Sequence, residues 1–180
     1  MAELKAFFDD ATNTVTYLVW DPDTRDAAII DPVLDFDPAP ARLTSQSADT
    51  VLTFARGQGL TINWILDTHA HADHLSAADY LRRETGGKIV IGAGITQIQK
   101  TFLPVFGPVD DHPDDKVFDV LLSDGESIPL GNTKITVMHT PGHTAACVTY
   151  LVDDMAFVGD TLFMPDYGTA RTDFPGGDAH

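Results

Sequence analysis

Hydrophobic residues recur along this chain with two spacings, one typical of strands and the other of amphipathic helices. Alternation over residues 14–20 and the apolar run 27–30 predict two strands, which the turn-forming residues 21–24 separate. Similar apolar segments predict further strands at residues 62–66, 88–91, 117–122, 134–139, 147–152 and 155–159.

Helical spacing predicts three helices between these strands. In residues 47–56, Val51, Leu52 and Ala55 share one face, and glycines end the helix. The other helices are predicted at residues 76–84 and 95–103, the second limited by Pro104, and loops at residues 35–40 and 107–115. Strands mixed with amphipathic helices indicate a layered α/β or α+β domain.

The composition is that of an ordinary globular protein. The 180 residues, 43% of them hydrophobic, suffice for a single domain spanning 1–180. A net charge of −16 disfavours nucleic acid and anionic membranes as partners. The N-terminus has acids where a signal peptide has bases, so we expect a cytoplasmic protein. The one cysteine, Cys147, lies in an apolar run and is predicted to be buried.

Four residues that can bind metal follow the strand predicted at 62–66, namely His69, His71, Asp73 and His74. In an extended segment His69 and His71 point the same way and can approach one ion. As the chain turns into the next helix, Asp73 and His74 can face an adjacent site. Imidazole and carboxylate ligands together suit zinc, iron or manganese.

Two later motifs add ligands of the same kind. A Pro-Gly turn follows the strand that ends at His139 and carries His143 outwards from the sheet edge. Asp160 follows a short apolar strand, and Gly159 leaves space beside it. His139 is expected to brace the turn rather than to bind metal.

The order of these motifs resembles the metallo-β-lactamase superfamily over essentially the whole chain, beginning at Ile30-Asp31-Pro32. The resemblance implies an αββα sandwich with a metal site at one edge, between two sheets. Members of this superfamily usually continue with another helix and strands. The resemblance therefore implies a domain 1–180 that lacks its final helix or strand.

Features within the motifs favour one branch of the superfamily. Asp160 stands where true β-lactamases mostly have cysteine, whereas glyoxalase II thioesterases and persulfide dioxygenases keep the aspartate. The segment Gly168-Thr-Ala-Arg171-Thr172-Asp173-Phe174 resembles the Gly-Arg-Thr-Asp-Phe signature of persulfide dioxygenases, although alanine replaces the glycine. Residues 31–34 also resemble the persulfide dioxygenase pattern, and residues 94–115 resemble its bacterial, Blh-type branch.

The resemblance implies one Fe(II) per chain, held by His69, His143 and Asp160. Such a triad leaves about three coordination positions open. The implied activity is oxidation of glutathione persulfide by dioxygen to a sulfinate, which hydrolyses to sulfite and glutathione. Groups around the iron would orient the ligands. They would be His71, Asp73, His74, Arg171 and Asp173.

Two alternatives stay open. A glyoxalase II-like thioester hydrolase would bind two zinc ions and activate water between them. Its ligands would be His69, His71 and His143 on one ion, Asp73 and His74 on the other, Asp160 as the bridge, and a histidine normally found farther downstream. A non-catalytic metal-binding sensor or assembly module is the alternative of another class. The sequence leaves open the metal, the thiol and the oligomeric state, a homodimer included.

Overall fold

The computed structural model of the chain describes residues 1–106, 117–169, 171–172 and 176–177. The loop predicted at 107–115 and the predicted site residue Asp173 lie outside these described residues. The strands are β1 (Glu3–Asp9), β2 (Thr14–Trp20), β3 (Asp26–Ile30), β4 (Val33–Asp37), β5 (Arg42–Thr44), β6 (Thr61–Asp67), β7 (Leu75–Ser76), β8 (Lys88–Gly92), β9 (Val120–Leu122), β10 (Ser127–Leu130), β11 (Thr133–His139), β12 (Val148–Val152) and β13 (Met155–Phe157). The helices are α1 (Gln46–Gly57), α2 (Ala78–Thr85) and α3 (Ile95–Phe106), and Gly159–Thr161 forms one turn of 3-10 helix.

The strands form two main sheets. A six-stranded sheet has the order β1-β2-β3-β6-β8-β9, in which the pairs from β3 to β9 are parallel. A four-stranded sheet, β10-β11-β12-β13, is antiparallel throughout. A smaller sheet, β5-β4-β7, brings the segment after β3 to the segment before α2.

The central strands of the large sheet are buried on both faces, which explains their continuous apolar sequence. In β3, Ala27 and Ile29 belong to the core shared with α1 and α2, whereas Ala28 and Ile30 belong to the core between the two main sheets. The hydroxyl of Tyr150 in the four-stranded sheet donates a 2.9 Å hydrogen bond to the carbonyl of Asp67 at the end of β6. The layers are therefore helix, sheet and sheet, and the predicted α/β class is confirmed.

Some predicted boundaries were wrong because they depend on distant partners. The loop predicted at 35–40 overlaps β4, which extends from Val33 to Asp37 because Asp35 pairs with Thr44 and Val33 with Ser76. The same pairing delays the start of α2 to Ala78. The strands β1, β5, β7 and β10 were not predicted.

The third helix is longer than predicted because Pro104 lies within it, near its end. Proline lacks the N–H that a helix interior needs. Because Pro104 lies in the last turn of α3, the backbone hydrogen bond that it cannot donate affects only the end of the helix.

Two simpler expectations concern burial and membrane spans. The predicted burial of Cys147 is confirmed, since 2% of its surface is exposed. Within the described part of the chain, every helix is too short or too polar to cross a bilayer.

Candidate metal centre

The chain brings the predicted ligands together where loops of the two main sheets meet. His69, His71, Asp73 and His74 lie in the segment between β6 and β7, His143 in the β11–β12 loop, and Asp160 in the 3-10 turn after β13. A hydrogen bond of 3.0 Å from the amide of Val148 to the carbonyl of Thr68 joins the first loop to the start of β12. The site is therefore held at one edge of the sandwich, between the sheets.

His69, His143 and Asp160 form the first group of metal-binding side chains. They offer one ligand atom each, and these atoms all lie within 4.8 Å of one another. Asp160 Oδ2 is 3.8 Å from His69 Nε2 and 3.4 Å from His143 Nε2. Two imidazoles and one carboxylate suit either iron or zinc. The donor set and its convergence therefore fit the implied metal, and its assignment stays a prediction.

His71, Asp73 and His74 form a second group with the same spread of 4.8 Å. Asp73 Oδ2 lies 3.3 Å from His74 Nδ1. Among the described residues, the buried Nε2 of His74 has no hydrogen-bond partner. A buried polar atom without a partner destabilises the folded state. Coordination of a metal ion by the nitrogen would supply the missing partner. The second group therefore also fits a cation.

The two groups adjoin through His71. Its ring centroid is 4.2 Å from that of His69 and 4.2 Å from that of His74. The Nε2 atom of His71 donates to Asp31 Oδ1 at 3.1 Å, and its Nδ1 lies 3.9 Å from Asp73 Oδ1. One ring nitrogen of His71 is therefore held by a buried carboxylate on the side away from Asp73.

Burial affects the two neighbouring histidines in different ways. Burial and, to a smaller extent, the neighbouring His71 lower the pKa of His69 to about 3, so His69 is neutral at physiological pH. For His71 burial also favours the neutral ring, but the carboxylates of Asp31 and Asp67 outweigh it and raise the pKa to about 9. Histidine must be neutral to offer a lone pair to a metal, and His69 meets that condition.

The carboxylates around the centre also have pKa values that are shifted in opposite directions. Burial raises the pKa of Asp67 to about 6, although His71 opposes the shift. Burial likewise raises the pKa of Asp160. The hydrogen bond with His74 holds the pKa of Asp73 well below its usual range. Asp73 is thus an anion at neutral pH.

Two further predictions concern residues beside the ligands. The structure connects Arg171 to the centre through its main chain, because its carbonyl oxygen accepts a 2.8 Å hydrogen bond from His143 Nδ1. His139 donates from Nε2 to the carbonyl of Ala145 at 3.0 Å, which braces the turn as predicted.

A cavity of about 540 Å³ adjoins the centre, which is within the ordinary size range of small-molecule sites. Its wall includes His69, His71 and His74 together with Arg82 and apolar side chains of β8 and α3. The site therefore has room beside it for a small molecule.

The sequence did not reveal the importance of Asp31 and Thr68. Both are buried and hydrogen-bonded to each other directly behind the histidines. The sequence shows Asp31 at the end of an apolar strand and Thr68 next to His69. It does not show that they are in contact, because they are 37 positions apart.

The sequence is similar to those of known metalloproteins. The model of the metallo-beta-lactamase superfamily matches residues 9–180. A probable metallo-hydrolase of Burkholderia pseudomallei is 50% identical over 98% of the chain, a glyoxylase B2 of Dictyostelium discoideum is 40% identical over 99%, and the human mitochondrial persulfide dioxygenase ETHE1 is 32% identical over 97%. The chain spans 64%, 62% and 57% of the lengths of these three relatives.

Among solved structures, the crystal structure of ETHE1 from Myxococcus xanthus is similar with a TM-score of 0.75 and 31% identity. The match covers 98% of this chain and 64% of that one. The similarity extends through all of the elements that carry the candidate ligands.

Proposed function

Since the chain belongs to the metallo-β-lactamase superfamily, we propose that it is an iron-dependent persulfide dioxygenase. The observation that carries the proposal is the convergence of His69, His143 and Asp160, two imidazoles and one carboxylate, within 4.8 Å. This donor set is typical of Fe(II) sites that activate dioxygen. Relatives with the name of this activity are 32% identical to the chain.

The substrates in this proposal are small molecules, glutathione persulfide and dioxygen. One persulfide, one dioxygen and one water give one glutathione and one sulfite, so that the outer sulfur is oxidised and dioxygen is reduced. Fe(II) bound at the triad would supply adjacent open positions where the two substrates meet, which removes much of the entropic cost of their encounter.

The residues of the chain hold this triad in place. Burial keeps His69 neutral, with its Nε2 on the side of Asp160. The carbonyl of Arg171 fixes the ring of His143 through Nδ1, which directs the opposite nitrogen towards Asp160. Asp160 itself is a third exposed, so the centre is reachable from solvent on that side.

A binuclear thioester hydrolase is the second candidate, and the buried, unpartnered Nε2 of His74 is the observation that favours it. With zinc at both groups, His71, Asp73 and His74 would become ligands instead of orienting groups. The names of the metallo-hydrolase and glyoxylase relatives are in line with this candidate.

The two activities can be compared on one preparation. Protein purified without oxygen would be loaded either with Fe(II) or with Zn(II), and each form assayed for oxygen uptake with glutathione persulfide and for hydrolysis of S-lactoylglutathione. We expect rapid oxygen uptake by the iron form and negligible thioester hydrolysis by both forms. Thioester hydrolysis without oxygen uptake would exclude the dioxygenase. Asp160→Asn, which weakens the triad, serves as the inactive control.

A further inference from the structure

Asp31 has an unusual backbone conformation directly behind the metal-binding groups. Its φ is +52°, in the left-handed region that few residues other than glycine adopt, although aspartate is among those that do. The N–H of Asp31 donates to the carbonyl of Leu66 at 2.8 Å, and its carbonyl accepts the hydroxyl of Thr16 at 2.8 Å. Both ends of this peptide unit are thus fixed, and the side chain is buried beneath the loop that follows β6.

The carboxylate of Asp31 accepts three hydrogen bonds from that loop. Oδ1 accepts the backbone N–H of Thr68 at 2.7 Å and Nε2–H of His71 at 3.1 Å. Oδ2 accepts the hydroxyl of Thr68 at 2.9 Å. One buried carboxylate therefore contacts both Thr68 and His71.

Thr68 transmits this contact to His69. A hydroxyl has one proton, and here that proton points to Asp31 Oδ2, so the oxygen can only accept from the neighbouring His69 Nδ1 at 2.9 Å. His69 must then carry its proton on Nδ1 and present the lone pair of Nε2 towards Asp160. His71 is held in the opposite sense, with Nε2 on Asp31 and Nδ1 facing Asp73.

We infer that Asp31 and Thr68 are positioning residues: together they set which ring nitrogen His69 presents to the metal centre, and Asp31 fixes the orientation of the His71 ring. The same relay operates whether the centre holds one ion or two, so the inference does not depend on the proposed activity. A metal ligand that is fixed in one tautomer and orientation binds more tightly than one that must reorient, and loss of such a partner typically costs about 10–100-fold in metal affinity.

Gly159 packs closely against Thr68 and supports the inferred role of the Thr68 hydroxyl. Its φ is +48°, and a Cβ at this position would overlap the Thr68 hydroxyl and lie 2.9 Å from Thr68 Cβ. The glycine before Asp160 therefore leaves the space in which the hydroxyl reaches both Asp31 and His69. The close approach links the turn that carries Asp160 to the relay that orients His69.

Thr68→Val tests the relay, because valine keeps the shape of threonine and removes only the hydroxyl. The first measurement is nitrogen-15 NMR of the imidazoles in metal-free protein, which reports the tautomer without any activity. We expect wild-type His69 to be protonated on Nδ1, Thr68→Val to lose this single tautomer, and Thr68→Ser to keep it. The second measurement is iron and zinc affinity, which should fall about 10–100-fold in Thr68→Val and recover in Thr68→Ser.

Thr149→Val is the matched control, since Thr149 is a buried threonine whose hydroxyl bonds to Thr140 and to neither histidine. It should leave the His69 tautomer and the metal affinity unchanged. Wild-type His69 protonated on Nε2 would overturn the inference, and this result needs no variant to fold. Equal tautomer populations and affinities in Thr68→Val and the wild type would overturn it as well.

Discussion

The Nδ1 atom of His143 lies 2.8 Å from the carbonyl oxygen of Arg171, which is the contact between the signature segment and the candidate ligands. A carbonyl only accepts, so His143 carries a proton on Nδ1 and directs Nε2 towards Asp160, 3.4 Å away. The segment thus acts on the centre through its main chain. The side chain of Arg171 is exposed.

Replacing His143 by alanine should abolish iron retention. The first group would keep only His69 and Asp160, and two protein ligands hold Fe(II) weakly. Loss of an outer partner of a ligand alone typically costs about 10–100-fold in metal affinity, so loss of the ligand itself should cost at least as much, and metal analysis after desalting should find little iron. His139→Ala, at the end of β11, is the control and should retain its iron, because His139 bonds to the Ala145 carbonyl and is not one of the candidate ligands. Stoichiometric iron in His143→Ala would contradict the ligand assignment.

Replacing Arg171 by glutamine should leave the iron content unchanged, because the backbone carbonyl that holds His143 remains. In a chain with a net charge of −16, a cation beside the centre would help to attract an anionic persulfide. We therefore expect a KM for the persulfide several-fold higher, with Arg171→Lys closer to the wild type. A loss of iron in Arg171→Gln would show that the side chain is structural.

Asp73→Asn distinguishes one ion from two. Asp73 contacts His74 Nδ1 at 3.3 Å and Thr14 Oγ1 at 3.3 Å. If it only orients the site, the variant keeps stoichiometric iron under saturating metal and loses part of its turnover, about 10–100-fold. In a binuclear enzyme the variant would lose the second ion. A crystal structure with an Asp73 oxygen about 2.0–2.2 Å from a metal would contradict the orienting role.

A prediction about stability concerns Asp21, away from the metal centre. Its carboxylate accepts the backbone N–H groups of Asn132 at 2.5 Å and Asp23 at 2.8 Å, which lower its pKa. Because the folded-state pKa is depressed, the stabilisation is present above the unfolded value near 3.8 and is lost as the pH falls through the lowered value. Asp21→Asn should lower Tm by a few degrees at neutral pH.

The difference in Tm between Asp21→Asn and the wild type should shrink as the pH falls from about 3.8 through the lowered pKa of Asp21. Asp23→Asn, which removes an exposed carboxylate without these contacts, is the control. A constant difference from neutral to acid pH would show that the ionised form of Asp21 is not what stabilises the turn.

The candidate ligands could be picked out from the sequence because each lies in a short local motif. His69, His71, Asp73 and His74 fall within six positions after an apolar strand, and strand geometry alone places the first two on one side. His143 and Asp160 follow turn and strand ends that the hydrophobic pattern also shows. The layered fold was predictable for the same reason, since the apolar runs of β3, β6 and β8 reflect burial on both faces.

The remaining features depend on contacts between distant segments. β4 became visible only with its partners β5 and β7, because residues 33–37 alternate too weakly to predict a strand. The bond between Asp31 and Thr68 needs two parallel strands, β3 and β6, to end side by side. The sequence also could not show that His74 Nε2 is buried without a partner among the described residues.

Metal analysis combined with oxygen uptake, on protein purified without oxygen, tests the proposed iron-dependent reaction. We predict one iron per chain and, on addition of glutathione persulfide, one dioxygen consumed and one sulfite formed per persulfide. Loss of both oxygen uptake and sulfite formation in Asp160→Asn would tie the reaction to the triad. Two tightly bound zinc ions per active chain, with S-lactoylglutathione hydrolysed and no dioxygen consumed, would contradict it.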